Sequence, residues 1–386
     1  MDQSKVYFPN LNGLRFFAAL MVIIHHIEQD KLFLHFPSFW AQTAVTHNWY
    51  LEFPFIFIIG KLGVVLFFVL SGFLITYLLL TEESIYSVIN IRKFYIRRIL
   101  RIWPLYFLIF IISYLILPHI HASLIPGYGK DVIYQDLGIK VILFVFFLPN
   151  VAVSLYSFIP YTSHIWSIGA EEQYYVLWPM FFRFIKTNRV LKMGLLVLLY
   201  MFITKVLHSP KSDFLPYKFT ISIFWNELFC IDCMVIGSIF AALLSQKSML
   251  LQYLMNKYFF YGIIILTVFF IAIGFGIPLY TFEFYALLFG IIILNFAANK
   301  KIRISLENRV FDYLGKISFG LYMYHYLCIP FCIKIVNHFN IFNNVTVYLF
   351  SISSTIIIAS LSHYYFERPF IKLKARFSNI RSGNSI

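Results

Sequence analysis

Residues 11–28 read LNGLRFFAALMVIIHHIE, an apolar run about as long as a bilayer core is thick, with Arg15 near its start and His25, His26 and Glu28 near its end. Arg15 and His26 are eleven residues apart. On a helix rising 1.5 Å and turning 100° per residue, that spacing places them about 16 Å apart along the axis and within about 20° of one face, while His25 points away. A cation and an imidazole on one stripe of a membrane helix are costly to bury and mark a candidate functional site. The plainer reading has Arg15 snorkelling to the cytoplasmic headgroups and His26 capping the far end.

The rest of the chain is equally apolar. Of 386 residues, 60% are hydrophobic, 20% aromatic and only 12% charged, about half the charged fraction of a soluble domain. The fold class expected is an all-α polytopic membrane protein. No short apolar core with a small-residue cleavage site precedes the first run, so it reads as a retained helix and not as a signal peptide. Cys230, Cys233, Cys328 and Cys332 all lie in apolar segments and behave as small hydrophobes, giving no disulfide framework. The net charge of +14 does not point to nucleic acid, because the charges sort by membrane side.

Runs long enough to span fall at roughly 11–28, 60–81, 95–117, 171–187, 190–207, 223–245, 258–276, 278–298, 317–338 and 345–367. An eleventh, 141–157, is shorter, contains Pro149 and has charge-poor loops on both sides. Treating it as re-entrant or interfacial assigns 23 of the 31 Lys and Arg, including every Arg, to one side, which the positive-inside rule makes cytoplasmic. The reading is therefore about ten transmembrane helices with both termini cytoplasmic. Residues 1–370 form a single transmembrane domain, 371–386 a basic cytoplasmic tail, and the loop 29–59 folds over the outer face.

Several segments carry candidate chemistry. Gly60, Gly63, Ser71 and Gly72 in the second run are small residues that let helices approach closely. Arg97, Arg98 and Arg101 cluster at the cytoplasmic mouth of the third, with Pro104 and Tyr106 just inside. They serve as topology determinants, and their planar forks also suit a polyphosphate. In HIWSIGAEEQYYVLWP, residues 164–179, Glu171 and Glu172 enter the membrane from the same side as His26. One of them could orient the imidazole and raise its basicity, or both could simply favour a helix N-terminus. His164 and Trp166 precede them, His164 as a second polar partner or an interfacial residue. Asp232 is set deep in an apolar run near Glu227; His325 has no companion charge and reads as a hydrogen-bonded core residue. No metal site is expected, since only His25 and His26 are close and their rings diverge.

Taken in order, Arg15 and His26, FFVLSGFL at 67–74, the cluster of Arg97, Arg98, Arg101, Pro104 and Tyr106, HIWSIGAEEQYY at 164–175, LGKISFGLYMYH at 314–325 and FERP at 366–369 resemble the membrane acyltransferase-3 family. The similarity runs over nearly the whole chain. It implies transfer of an acyl group, most often acetyl, from cytoplasmic acyl-coenzyme A to an extracytoplasmic hydroxyl of a cell-surface glycan or glycolipid. It also makes the histidine matching His26 essential and gives roles to Arg15 and the basic cluster. Two departures stand out: Gly169 and Ala170 replace the usual serine and valine before the acidic pair, and Cys230 replaces an arginine often found two positions before the aspartate. The hydrolase-like domain fused to some members is absent from this sequence.

Together, these readings place the coenzyme A phosphates at Arg97, Arg98 and Arg101 and the thioester near His26, with Arg15 between. His26 then acts as general base, Glu171 or Glu172 stabilising the imidazolium, or as nucleophile through an acyl-imidazole. Ser71, Tyr106, His164, Trp166, Asp232 and His325 are candidates for structural or acceptor roles. The expected partners are acyl-CoA, a surface or lipid-linked glycan and membrane lipid, with no nucleic acid, and the expected location is the plasma membrane. A transporter or flippase for a glycan is the rival reading, since polar residues at mid-membrane also mark substrate pathways.

Overall fold

The computed structural model describes residues 5–37, 54–120, 123–156, 159–341 and 343–382. Hydrocarbon offers backbone N–H and C=O groups no partner, so apolar runs satisfy them internally as helices. The principal ones are α1 (Leu11–Phe33), α2 (Pro54–Tyr86), α3 (Ile91–Ile111), α4 (Leu137–Val145), α5 (Pro149–Tyr156), α6 (Trp166–Phe184), α7 (Arg189–His208) and α8 (Ile231–Ser245). They continue with α9 (Lys257–Ala272), α10 (Thr281–Ala298), α11 (Arg309–Lys316), α12 (Ser318–His338), α13 (Asn344–Ser362) and α14 (Arg368–Ala375).

Eight helical stretches among the described residues are long and apolar enough to cross a membrane. They are α1, Ile58–Tyr86 within α2, Ile91–His119, α7, Lys218–Ser245, α10, α12 and Asn344–Ala375. The other two expected spans are also helical. One is α6, which carries Glu171, Glu172 and Arg183; the other is α9, with 16 residues. A two-residue parallel pairing of β1 (Lys5–Val6) with β2 (Arg381–Ser382) brings both ends of the described chain to the same end of the bundle. Assignment of that end to the cytoplasm comes from the charge bias alone. The loop expected to cover the outer face falls mainly on 38–53, outside the described residues.

The run 141–157 is not one helix. Phe147 adopts φ 57°, which ends the ladder, and Pro149 restarts it as the first residue of α5. The resulting helices of 9 and 8 residues are each about 12–14 Å long, less than half a bilayer core. The break is clamped from two sides. Tyr106 of α3 donates to the Phe144 carbonyl at 2.8 Å, and Gln173 of α6 donates to that of Phe147 at 3.2 Å. Gly169 lets α6 lie directly against Pro149. This contact sets the rotation of α6 and so the direction of Glu171 and Glu172.

The core is organised around α2, with α1 on one side and α8 on another. A Cβ on Gly63 would meet the Ala18 carbonyl and Val22, one on Gly72 the Met234 carbonyl, and one on Gly237 the Val69 carbonyl. Such backbone-to-backbone approaches supply the close van der Waals packing on which helix association in lipid depends. The start of α1 is pinned by polar contacts. Asn10, at φ 66°, accepts from the Leu306 amide at 2.6 Å, and Asn12 donates to Asp312 of α11 at 2.5 Å. Desolvation raises the Asp312 pKa, but hydrogen bonds from Lys316 and Asn12 outweigh it and hold the carboxyl below its ordinary value.

The basic tail docks onto the body. Arg97 donates to the Phe377 carbonyl at 3.0 Å, Lys93 to Asn379 at 2.7 Å, and Asn379 to Glu82 at 2.9 Å. The helix α14 begins at Arg368, so the expected boundary at 371 falls inside one continuous element.

Gly72→Val should drive α2 and α8 apart, at a cost of about 1–3 kcal/mol or more. Gly194→Ala, where a Cβ meets open space, should be neutral. Thermal unfolding of both variants in detergent checks the contrast: a lower Tm for Gly72→Val alone is expected.

Candidate active site

A cavity of about 900 Å³ of empty space runs along α2 between Val64 and Leu78. Fourteen helical residues correspond to about 21 Å. Three cations converge on it: Arg15 from α1, and Arg98 and Arg101 from α3. The Nη1 of Arg15 donates to Asn12 at 3.1 Å, and its side chain lines the cavity. Arg98 lies over the rings of Phe94 and Tyr175, at 5.6 and 5.1 Å, and its buried Nε has no hydrogen-bond partner among the described residues. Arg97 turns away, pairing with Glu82 at 3.7 Å and lining a separate, smaller cavity.

Glu171 faces the arginines in the same cavity and accepts from Ser71 at 2.6 Å. Glu172 points to the other side of α6, where its Oε2 accepts from Trp103 at 3.2 Å. The expected carboxylate against His26 is therefore replaced by a different partner. Nδ1 of His26 lies 3.0 Å from Nε2 of His325, on α12. His164 completes a cluster, its ring centroid 5.0 Å from His325 and 6.5 Å from His26, and Tyr326 packs on both His164 and His26 at 4.9 and 4.8 Å. His325 is the buried, hydrogen-bonded core residue expected, with imidazoles as its neighbours, and His164 is buried and not interfacial. His25 points away as its position on α1 requires, with Nδ1 2.8 Å from the Ile56 carbonyl and its ring against Gly60.

The neighbours fix the proton positions. Nδ1 of His325 faces the Leu321 carbonyl at 3.3 Å, which can only accept, so Nδ1 carries the proton and Nε2 the lone pair. His26 must then donate through Nδ1, which leaves its Nε2 as an acceptor. Between this cluster and the arginine cavity stands Tyr322, which lines the cavity together with Ser167. Its hydroxyl donates to the His164 carbonyl at 2.6 Å and lies 2.7 Å from the Ser167 hydroxyl, while its ring sits 5.6 Å from that of His325.

The remaining candidates lie elsewhere. Tyr106 is buried and structural, stacked on Phe147 at 4.6 Å. The ring of Trp166 lies 4.1 Å from the Lys61 ammonium and 6.0 Å from Phe68. Asp232 is buried near Glu283 of α10, a partner that sequence reasoning did not name. The cation in that neighbourhood, near Cys230, is Lys61, paired with Glu227 at 3.4 Å. Sequence reasoning also missed Ser167, Tyr175 and Tyr322. Each lies three or four residues from a candidate, His164, Glu171 and His325 respectively, and so on the same helix face.

Comparison with known proteins bears on this arrangement. The chain matches the family described as "Acyltransferase domain" over residues 8–364. A Staphylococcus aureus protein provisionally named an O-acetyltransferase is 25% identical over 407 residues, covering 98% of this chain and 59% of its own length. The Listeria monocytogenes peptidoglycan O-acetyltransferase OatA is 27% identical over 54% of this chain and 30% of its own length. A Bacillus subtilis protein, YrhL, provisionally named a peptidoglycan O-acetyltransferase, is 30% identical over 55% and 30%. The chain spans at most about three fifths of the length of these relatives. No solved structure matches it. With a polytopic helical body and a family match over nearly its whole length, the chain belongs to the membrane acyltransferase-3 family.

Proposed function

We propose that the protein is a plasma-membrane O-acyltransferase that moves an acyl group, acetyl by the names of its relatives, from cytoplasmic acyl-CoA to a hydroxyl of an extracytoplasmic glycan. One observation carries the reading: a cavity that gathers Arg15, Arg98 and Arg101 at one end leads to Ser167 and Tyr322, behind which the three histidines meet. The arginines hold the pyrophosphate of the donor, whose charge is matched by guanidinium forks. The pantetheine arm follows the apolar wall of α2, formed by Val64, Phe67 and Phe68, and brings the thioester to the histidine cluster.

There, Nε2 of His26 takes the proton from the acceptor hydroxyl as its oxygen attacks the thioester carbonyl. The tetrahedral adduct collapses by breaking the carbon–sulfur bond, and the imidazolium returns its proton to the departing thiolate. His325 is a positioning residue, accepting the Nδ1 proton of His26 and keeping the lone pair on Nε2. Glu171 balances the arginines across the cavity and is itself held by Ser71. Glu172, bonded to Trp103, fixes α6 against α3. The donor enters from one side and the acceptor from the other, so neither has to cross.

Membranes containing the intact chain should move label from radiolabelled acetyl-CoA into the surface-glycan fraction, and His26→Ala should slow this by about 10²–10⁴-fold. Equal transfer by both forms would remove His26 from the chemistry. His325→Leu should lower kcat by about ten- to a hundredfold with the donor KM unchanged, and His325→Gln, which restores an acceptor, should recover part of it. A loss confined to KM would contradict a positioning role.

A further inference from the structure

The arginine cavity does not end at Arg98. A second cavity, of about 450 Å³, shares Ile75, Leu78 and Arg98 with it and continues past Leu79 and Glu82 towards the chain's C-terminal segment. Along α2 the two together run from Val64 to Glu82, 18 residues or about 27 Å, a length that suits an extended coenzyme A.

Its lining is divided. Ile75, Leu78, Leu79, Phe94 and Ile380 contribute apolar surface, Arg97, Arg98 and Lys374 positive charge, Ser378 a hydroxyl and Glu82 a carboxylate. Apolar side chains beside clustered cations are the pattern that takes a nucleobase with a phosphate close to it. Lys374 lies within electrostatic range of Arg15, Arg97, Arg98 and Arg101. Against these five cations stand Glu82, Glu171 and Glu367. Glu82 is already engaged by Arg97, Asn379 and the Asn90 amide. Among the described residues, Arg15, Arg98, Arg101 and Lys374 make no ion pair within 4 Å. The buried Nε of Arg98, where the two cavities join, has no acceptor. Like charges gathered in one region favour the binding of an anion.

We propose that this second cavity is the seat of a nucleoside phosphate, the 3′-phosphoadenosine end of the acyl-CoA donor, with Lys374 and Ser378 of the C-terminal segment binding its ribose 3′-phosphate alongside Arg97. The assignment rests on the donor reading above. It follows from direction: the pantetheine arm runs inward past Arg15, so the adenosine lies outermost, where the C-terminal segment closes the cavity. The segment is held there by the Arg97 bond to Phe377 and by the pairing of β2 with β1.

The test is equilibrium binding of acetyl-CoA and of 3′-dephospho-acetyl-CoA to the purified full chain in nanodiscs. The intact protein should prefer acetyl-CoA. Lys374→Ala should weaken acetyl-CoA about tenfold, one charge-assisted contact, and leave the dephospho form nearly unchanged, while Lys374→Arg retains the preference. Exposed Lys372, on the same short helix, should tolerate Ala without effect. Equal weakening of both ligands by Lys374→Ala, or of neither, would overturn the assignment of Lys374 while leaving the donor reading intact. Failure of the intact protein to bind either ligand would overturn both.

Discussion

Positive charge gathered inside a low-dielectric body is the constraint on which the rest of this molecule depends. Arg15, Arg98 and Arg101 come from two helices into one cavity, with Glu171 as the carboxylate facing them. At an effective dielectric of 20, each pair of like charges held within about 8 Å costs on the order of 2 kcal/mol. Lipid offers no screening. The framework must hold the guanidiniums together against that repulsion, and it does so with backbone-tight helix contacts at Gly63, Gly72 and Gly237 and with polar pins at both ends of α1. In the proposed donor complex a polyphosphate would supply the missing negative charge, and the stored repulsion would become binding energy for it.

The same helices also set the distance that the proposed reaction must bridge between its donor and its base. Helix α1 holds Arg15 at one level and His26 about 16 Å further along, and α2 runs antiparallel to it, with Gly60 against His25 and Gly63 against Ala18 and Val22. Tyr322 and Ser167 separate the cavity from the histidines in the structure described. Their hydroxyls bond to each other, and that of Tyr322 also donates to the His164 carbonyl.

Much of this was legible in the sequence because it is local. Apolar runs located a helix at each of the ten expected positions, Pro149 marked the restart of the broken run, and the one-stripe spacing singled out Arg15 and His26. Contacts between distant segments were not legible. His325 lies 299 residues from His26, and no periodicity links them. The break at Phe147 depends on a positive φ in a residue type that gives no turn signal. Glu171 and Glu172 looked like a pair, yet adjacent helix positions face about 100° apart, so one meets the arginines and the other Trp103. The docking of the basic tail was not legible because its partners, Glu82 and Arg97, lie nearly 300 residues earlier.

The central claim is that one protein couples a donor on the side of the arginines to an acceptor on the side of the histidines. Sealed membrane vesicles of known orientation test it directly. Radiolabelled acetyl-CoA is supplied only outside, to inside-out or right-side-out vesicles, and label on glycan is sought on each face. The account predicts transfer only in inside-out vesicles, with the product in the lumen and no free acetyl-CoA accumulating there. Transfer in right-side-out vesicles, or product on the same face as the donor, would contradict it.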